Sequence, residues 1–257
     1  MESVDAKLLR AHEHLDALEA AIGEYQKGTK RTLILKLNQD QTTVKLMTWV
    51  DDPYPPIRNS MLIGDCVFNT RAALDNLICG LVRIGRPTSI CGGRNFPIIT
   101  SAGDWGESTS SLRGIPIEAK KLVKAVQPFN RPPGSELIDP LNILNTLRNR
   151  DTHRAALLTS GYSKNTRFAI HTNEGKVLYV TSDRPLFGEG FDEIPLAISP
   201  ASVIPDARVE AVGTTVLAFR DDGPWGDRSV LDVLATCLRY VEDNVIIRFR
   251  PFFVPRN

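Results

Sequence analysis

The sequence lacks an excess of charge of either sign. Lysine and arginine together number 31, and aspartate and glutamate number 30, which leaves a formal net charge of +1. Proteins that bind nucleic acid over much of their surface carry a clear positive balance. Any contact of this chain with RNA or DNA is therefore expected to be local.

Long apolar runs are also absent. No segment reaches the roughly 20 apolar residues that a membrane-spanning helix needs. The first residues, 1–5, lack the basic start and the apolar stretch of a secretory signal. We therefore expect a cytoplasmic protein with no membrane partner.

Cysteine is scarce, and the four cysteines include no closely spaced pair. Cys66, Cys79 and Cys237 fall in apolar helical patterns, where a free thiol packs as a small apolar side chain. We expect neither structural disulfides nor a zinc site.

The common catalytic signatures are missing as well. The sequence contains no phosphate-binding Walker loop, no His-Glu-x-x-His zinc motif, no Gly-x-Ser-x-Gly elbow and no dinucleotide-binding glycine fingerprint. We therefore expect no metal and no cofactor, and chemistry that one histidine and its polar neighbours can perform.

The sequence does contain enough apolar residues, 42% of the chain, to form a substantial core. Apolar residues recur at helical spacing in residues 4–25, 57–84, 141–153 and 228–248. Strand patterns occupy residues 32–37, 43–50, 155–160, 166–171, 176–181 and 208–220, and the first two suggest a hairpin. We predict one α+β domain over residues 1–257. Its helical core spans about 1–153 and 228–250, and a β-rich part at about 154–220 is inserted before the last helix.

The first predicted helix carries an apolar seam with alternating steps of four and three residues. The seam consists of Val4, Leu8, Ala11, Leu15, Leu18, Ile22 and Tyr25. It suits burial within the monomer and a homodimer interface equally well.

Polar residues form two narrow stripes on the predicted helices. The first stripe consists of Asn142, Asn145, Asn149 and His153, and the second of Asp65, Asn69 and Asn76. Each set falls on one side of its helix at about 100° per residue. Because buried polar groups need partners, we expect the two stripes to face each other.

Three charged residues near these stripes, Arg71, Asp75 and Asp151, are predicted to have structural roles. Arg71 and Asp75 are four residues apart and are predicted to form a structural ion pair along the helix. Asp151 falls on the apolar face of its helix if that helix continues. Either the helix ends near Arg150, or Asp151 is buried against a partner such as Arg71, and the second interpretation is preferred.

The hexad Arg148-Asn149-Arg150-Asp151-Thr152-His153 resembles the Arg-Asn-x-x-x-His motif of the HEPN superfamily. These proteins are small helical bundles of bacterial and archaeal toxin, defence and RNA-processing systems. The resemblance covers six residues with three fixed positions. It implies a metal-independent endoribonuclease in which two copies of the motif face each other across a homodimer. A toxin role would add an antitoxin or another protein partner.

A second resemblance extends over more of the chain. The residues Gly64-Asp65, Asn69-x-Arg71-x-Ala73-Leu74-Asp75 and Asp151-Thr-His-Arg154 are similar to segments of uncharacterised bacterial proteins. Those proteins have lysine where this chain has Thr152. This resemblance implies no activity, and under it Arg148 has no special role.

RNA cleavage needs a base for the 2′-hydroxyl, a cation for the charge that develops on the phosphate, and an acid for the leaving 5′-oxygen. His153 suits the base or the acid, because an imidazole ordinarily has a pKa of about 6.5. Arg148 can hold two phosphate oxygens. Asn149 lies one turn before His153 and can fix its tautomer or contact the phosphate. Arg150 and Arg154 are candidates for binding the RNA strand.

A non-catalytic interpretation stands beside the nuclease. The two polar stripes would then form a satisfied hydrogen-bond network between helices, which fixes their packing without chemistry. Under that interpretation Arg148 and His153 are buried, whereas a nuclease exposes them in a basic cleft.

Overall fold

The computed structural model describes residues 1–40, 42–50, 56–88, 91–154, 159–162, 166–172, 174–182, 191–196, 209–212, 216–219, 225 and 228–254. Within these ranges the chain combines α-helices with small antiparallel sheets, which confirms the predicted α+β class.

The described helices are α1 (Glu2–Gly28), α2 (Ile57–Gly85), α3 (Ile117–Ala125), α4 (Pro140–Arg154) and α5 (Val230–Tyr240). Of these, α1, α2, α4 and α5 correspond to the four helical patterns of the sequence. Helix α5 continues as a π-helical segment, Val241–Ile246, and then as the short α6 (Ile247–Phe249). No helix of the described residues is long and apolar enough to cross a membrane.

Eight strands form three antiparallel sheets in the described ranges. They are β1 (Arg31–Leu37), β2 (Val44–Val50), β3 (Thr159–Tyr162), β4 (Thr166–His171), β5 (Val177–Ser182), β6 (Phe191–Leu196), β7 (Glu210–Val212) and β8 (Val216–Phe219). The strand orders are β1-β2-β6, β3-β8 and β5-β4-β7. Strand β6 has no counterpart in the sequence prediction. Residues 155–158 of the predicted third strand lie outside the described residues.

The hairpin of β1 and β2 belongs to a separate apolar cluster, which we call the β core. Its buried residues are Leu33, Leu35, Val44, Leu46, Phe168, Ile170, Leu196 and Val209. Strand β2 pairs with β1 on one side and with β6 on the other. The hairpin that the sequence predicts is present, and its apolar side chains pack together with those of β4 and β6 in the β core.

The seam of α1 packs inside the monomer. Val4, Leu8, Ala11, Leu18 and Ile22 are all buried in a cluster with apolar side chains of α2, α4 and α5, which we call the helical core. These five seam residues are thus covered by the chain's own helices, which favours burial within the monomer for this part of the seam.

A buried carboxylate fixes the start of α4. The Asp139 side chain accepts a hydrogen bond from the backbone N–H of Leu141 at 2.9 Å, and Pro140 occupies the first helical position. This is the usual arrangement of a helix N-cap. Arg131 donates to the second carboxylate oxygen of Asp139 at 2.7 Å. The hexad lies on α4, and the start of this helix is held in place by the ion pair of Arg131 with Asp139.

Candidate functional site

The polar stripe of α2 faces α1, so the prediction that it faces α4 is wrong. The contacts are Lys7 Nζ to Asn69 Oδ1 at 3.1 Å, Asn76 Nδ2 to the Ser3 carbonyl at 3.3 Å, and His14 Nδ1 to Asp65 Oδ2 at 4.0 Å. Asn69 is buried, and its amide also donates to the Asp65 carbonyl at 2.8 Å. Helices α1 and α2 lie side by side in antiparallel orientation. Side chains or carbonyls of α1 therefore contact all three residues of the α2 stripe.

The polar stripe of α4 is left without that partner. Asn142 and Asn145 are half-buried and Asn149 is exposed. Within the described part of the chain, none of these three side-chain amides forms a hydrogen bond. The backbones of His153 and Arg154 complete α4, but their side chains lie outside the described residues. The expected network between the two stripes is therefore not formed by the side chains that the structure describes.

Arg71 and Asp75 form the predicted ion pair and also hold a neighbouring segment. Arg71 Nη2 lies 3.3 Å from Asp75 Oδ1. The Arg71 guanidinium donates to the Phe96 carbonyl at 2.5 Å, and the Phe96 N–H donates to Asp75 at 2.8 Å. The two side chains thus bind both polar groups of one backbone unit. Their role is structural, as the sequence predicted.

Burial acts on the protonation of both partners. It raises the pKa of Asp75, although the charges of Arg71 and Arg148 and the hydrogen bond from the Phe96 backbone N–H oppose the rise. It lowers the pKa of Arg71, where Asp75 opposes the shift and Arg148 adds to it. Arg71 Nη1 is buried and has no hydrogen-bond partner in the part of the chain that the structure describes. The electrostatic effect of Arg148 on both groups places its positive charge near this pair.

Asp151 packs against the backbone of α2 at Gly64. A β-carbon on Gly64 would lie 2.6 Å from Asp151 Oδ1, so only glycine leaves room for the carboxylate. Burial raises the pKa of Asp151; Arg148 opposes this rise and Asp65 adds to it. The helix continues past Asp151, and the cation that acts on this carboxylate is Arg148. The preferred pairing with Arg71 is not found, because Arg71 is engaged by Asp75 and Phe96.

An exposed aromatic ring lies between α1 and α4. Phe68 on α2 is 47% exposed. Lys7 Nζ of α1 lies 5.4 Å from the ring centroid, and Arg148 Cζ of α4 lies 5.6 Å from it. Both distances suit cation–π attraction. We call Lys7, Phe68 and Arg148 the Phe68 site.

Sequence reasoning missed Lys7 and Phe68. Phe68 belongs to the apolar pattern of residues 57–84, so its spacing alone does not mark it as exposed. One signal was available, because Phe68 follows Asp65 by three residues and therefore borders the polar stripe of α2.

Arg150, one of the two residues predicted to bind the RNA strand, packs against a buried tryptophan. The Arg150 guanidinium is 5.4 Å from the ring centroid of Trp225, which is buried, and Arg150 itself is half-buried. Within the described residues, the Trp225 indole N–H has no hydrogen-bond partner. Arg150 therefore anchors α4 next to Trp225, while Arg148 reaches the Phe68 site.

Over the described ranges, no group of three or more His, Cys, Asp or Glu residues is arranged to hold a metal ion. Comparisons of the chain with models of protein families, with curated proteins and with solved structures find no match.

Proposed function

We propose that this protein binds single-stranded RNA at the Phe68 site and cleaves it without a metal ion, as a nuclease of HEPN type. Arg148, Asn149 and His153 are the proposed catalytic residues. The observation that carries the proposal is that Arg148, the first residue of the hexad, shares the exposed Phe68 ring with Lys7.

The chemistry of the Phe68 site suits an RNA strand. Aromatic rings stack on nucleobases of any sequence, and nearby cations attract the phosphates. Lys7 and Arg148 provide two such cations at one ring in a chain whose net charge is only +1. A local site of this kind is what a nearly neutral protein needs in order to bind a polyanion.

The hexad supplies the reacting groups next to the Phe68 site. His153 takes the proton of the 2′-hydroxyl, and Arg148 stabilises the negative charge of the pentavalent phosphate. Asn149 is exposed one turn before His153 and orients the phosphate or the imidazole. In the homodimer that the resemblance implies, the His153 of a second copy donates the proton to the leaving 5′-oxygen.

The proposal is tested with a single-stranded RNA oligonucleotide and the full chain in a buffer that contains a chelator. We expect the wild-type protein to cleave the oligonucleotide. Arg148→Ala and His153→Ala should each lower the cleavage rate by about 100-fold or more, the range of general acid–base effects. Phe68→Ala should weaken RNA binding by about 1–3 kcal/mol, which is typical of a lost stacking contact.

Two matched variants serve as controls. Asn145→Ala removes an amide from the same stripe one turn before the hexad and should keep full activity, whereas Asn149→Ala should lose it. Arg10→Ala removes an exposed arginine of α1 and should leave RNA binding unchanged. Circular dichroism of every variant verifies that the fold is intact.

The outcomes separate binding from cleavage. If the wild-type protein binds RNA through Phe68 but does not cleave it, the result supports an RNA-binding function and contradicts the nuclease. Absence of both would favour the non-catalytic interpretation, in which α4 has only a packing role.

A further inference from the structure

We infer that Cys79 and Cys91 are a redox-active thiol pair, which glutathione disulfide converts to an intrachain disulfide between α2 and the segment after it. This inference is independent of the proposed nuclease. It concerns a modification site that is not apparent from the spacing of the two residues in the sequence.

Each of the two thiols contacts the backbone carbonyl of the other cysteine. Cys79 Sγ lies 3.6 Å from the Cys91 carbonyl oxygen, and Cys91 Sγ lies 3.5 Å from the Cys79 carbonyl oxygen. Each thiol therefore lies against the backbone of the other residue. Both are free cysteines and both are half-buried. A disulfide needs this kind of close backbone approach, because it cannot bridge distant residues without moving them.

The segment that carries Cys91 is held along one row of α2. Arg71, Asp75 and Cys79 are spaced four residues apart and therefore lie one above another on the helix. The first two bind the backbone of Phe96, and the third contacts Cys91. The segment is thus attached at two points, so the two thiols are positioned before oxidation begins.

Arg94 adds a third attachment between these two points. Its Nη1 donates to the carbonyls of Ser111 at 3.1 Å and Arg113 at 2.7 Å. The backbone around Cys91 is therefore fixed from two sides, and forming the bond requires little rearrangement.

Both thiols are partly exposed, and an open groove gives a small oxidant access to Cys79. Cys79 lines an open groove of about 490 Å³, together with Asn76, Gly80 and Arg83. Arg83 is exposed and offers a cation to the carboxylates of glutathione. Cys66 and Cys237, by contrast, are fully buried in the helical core. The structure thus separates two accessible cysteines from two protected ones.

The exchange proceeds in two balanced steps. The Cys91 thiolate attacks one sulfur of glutathione disulfide, the glutathione S–S bond breaks, and one glutathione leaves as a thiolate that takes up a proton. The Cys79 thiolate then attacks Cys91 Sγ of the mixed disulfide and releases the second glutathione. The protein loses two electrons and two protons, and two glutathione molecules are formed. Burial raises the pKa of Cys79 above that of an ordinary thiol, so the second step speeds up as pH rises.

The test uses the full wild-type chain in buffers of graded ratios of reduced to oxidised glutathione, followed by alkylation and peptide mapping. We expect a Cys79–Cys91 disulfide in the oxidised buffers, its loss on reduction, and alkylated Cys66 and Cys237 after denaturation in every buffer. In Cys79→Ser the mixed disulfide of glutathione with Cys91 should accumulate, because no second thiol is present to resolve it.

The wild-type measurement alone is decisive, so failure of a variant to fold does not affect the test. Four free thiols in the most oxidised buffer would overturn the inference. So would a persistent mixed disulfide in the wild-type chain, or a bond that includes Cys66 or Cys237.

Discussion

Asp151 shows how much a single side chain of the hexad depends on its neighbour. It lies at one of the variable positions of the Arg-Asn-x-x-x-His motif, and its carboxylate occupies the space above Gly64. Water reaches it only in part, and Arg148 is the cation that opposes the effect of its burial. The arginine that we propose as catalytic is thus also the charge that stabilises a partly buried carboxylate.

Asp151→Asn is expected to raise the free energy of unfolding at neutral pH. Because folding raises the pKa of Asp151, the folded state holds the carboxyl proton more tightly than the unfolded state does. The resulting stabilisation is present below the ordinary pKa of 3.8 and is lost as pH rises through the folded value. The neutral amide avoids that loss. The gain should stay below about 1 kcal/mol, because the side chain is partly exposed to solvent.

Urea unfolding of the wild-type protein and the variant at pH 7 and near the ordinary pKa of the carboxyl checks this expectation. The difference between the two proteins should shrink at the lower pH. The same change at Asp104, which is exposed, should have no effect on stability at either pH. A variant that is less stable at pH 7 would contradict the raised pKa.

At the scale of whole elements, periodicity predicted which residues share a helix face but not which neighbour covers that face. The apolar spacing located α1, α2, α4 and α5. The polar stripe of α2 was also correct as a group, yet its partner is α1, because Lys7, Ser3 and His14 reach it. Choosing between α1 and α4 requires the packing of the whole bundle, which no local spacing contains.

The parts of the site that the sequence did not predict were missed for the same reason, because they depend on packing between helices. The hexad on α4 was identified through its resemblance to a known motif, because its residues are close together in the sequence. Phe68 and Lys7 belong to two other helices and meet Arg148 only after folding. Strand β6 was missed because Pro195 interrupts its pattern, yet β6 follows β2 in register as an edge strand, where proline is tolerated.

Three glycines in helices should respond differently to substitution by alanine. Gly23 has open space around its missing β-carbon, so Gly23→Ala should stabilise the protein by about 0.5–1 kcal/mol. Gly64→Ala meets the Asp151 carboxylate at 2.6 Å and should destabilise by about 1–3 kcal/mol. In Gly85→Ala the new β-carbon would overlap the Gly114 carbonyl oxygen, and this variant should be the most damaging, since a backbone group cannot rotate aside.

Thermal unfolding of the three variants gives the order directly. The double variant Gly64→Ala with Asp151→Ala should recover most of the lost stability, because the β-carbon at position 64 overlaps the Asp151 carboxylate, which the second change removes. No recovery would show that the helices α2 and α4 are pushed apart by something other than Asp151.

At the scale of the whole molecule, two separate apolar clusters stand out in the described residues. The helical core joins α1, α2, α4 and α5 and includes Leu217 and Phe219 of β8. The β core lies between the sheets β1-β2-β6 and β5-β4-β7. The clusters share no residue, so each has its own apolar interior.

Truncating one cluster is therefore expected to affect mainly its own part of the protein. Phe168→Ala removes a fully buried ring from the β core, and Leu77→Ala removes a fully buried side chain from the helical core. Each should cost about 2–5 kcal/mol. Phe168→Ala should lower the midpoint of an early transition and leave the helical circular dichroism at 222 nm largely unchanged. Leu77→Ala should lower the midpoint of the helical signal. Equal shifts of one shared transition in both variants would show that the two clusters unfold as one unit.

The pairing of β2 with β6 also sets a delay during protein synthesis. Trp49 and Phe191 are opposite each other in the sheet, yet they are 142 residues apart in the chain. At usual rates of elongation, the ribosome needs about 7 to 28 seconds to add that many residues. The hairpin of β1 and β2 thus waits with one strand edge unpaired while the segments that form α2, α3 and α4 emerge. An unpaired edge is a template for association with other chains. The newly made protein therefore depends on a partner strand that the ribosome supplies late.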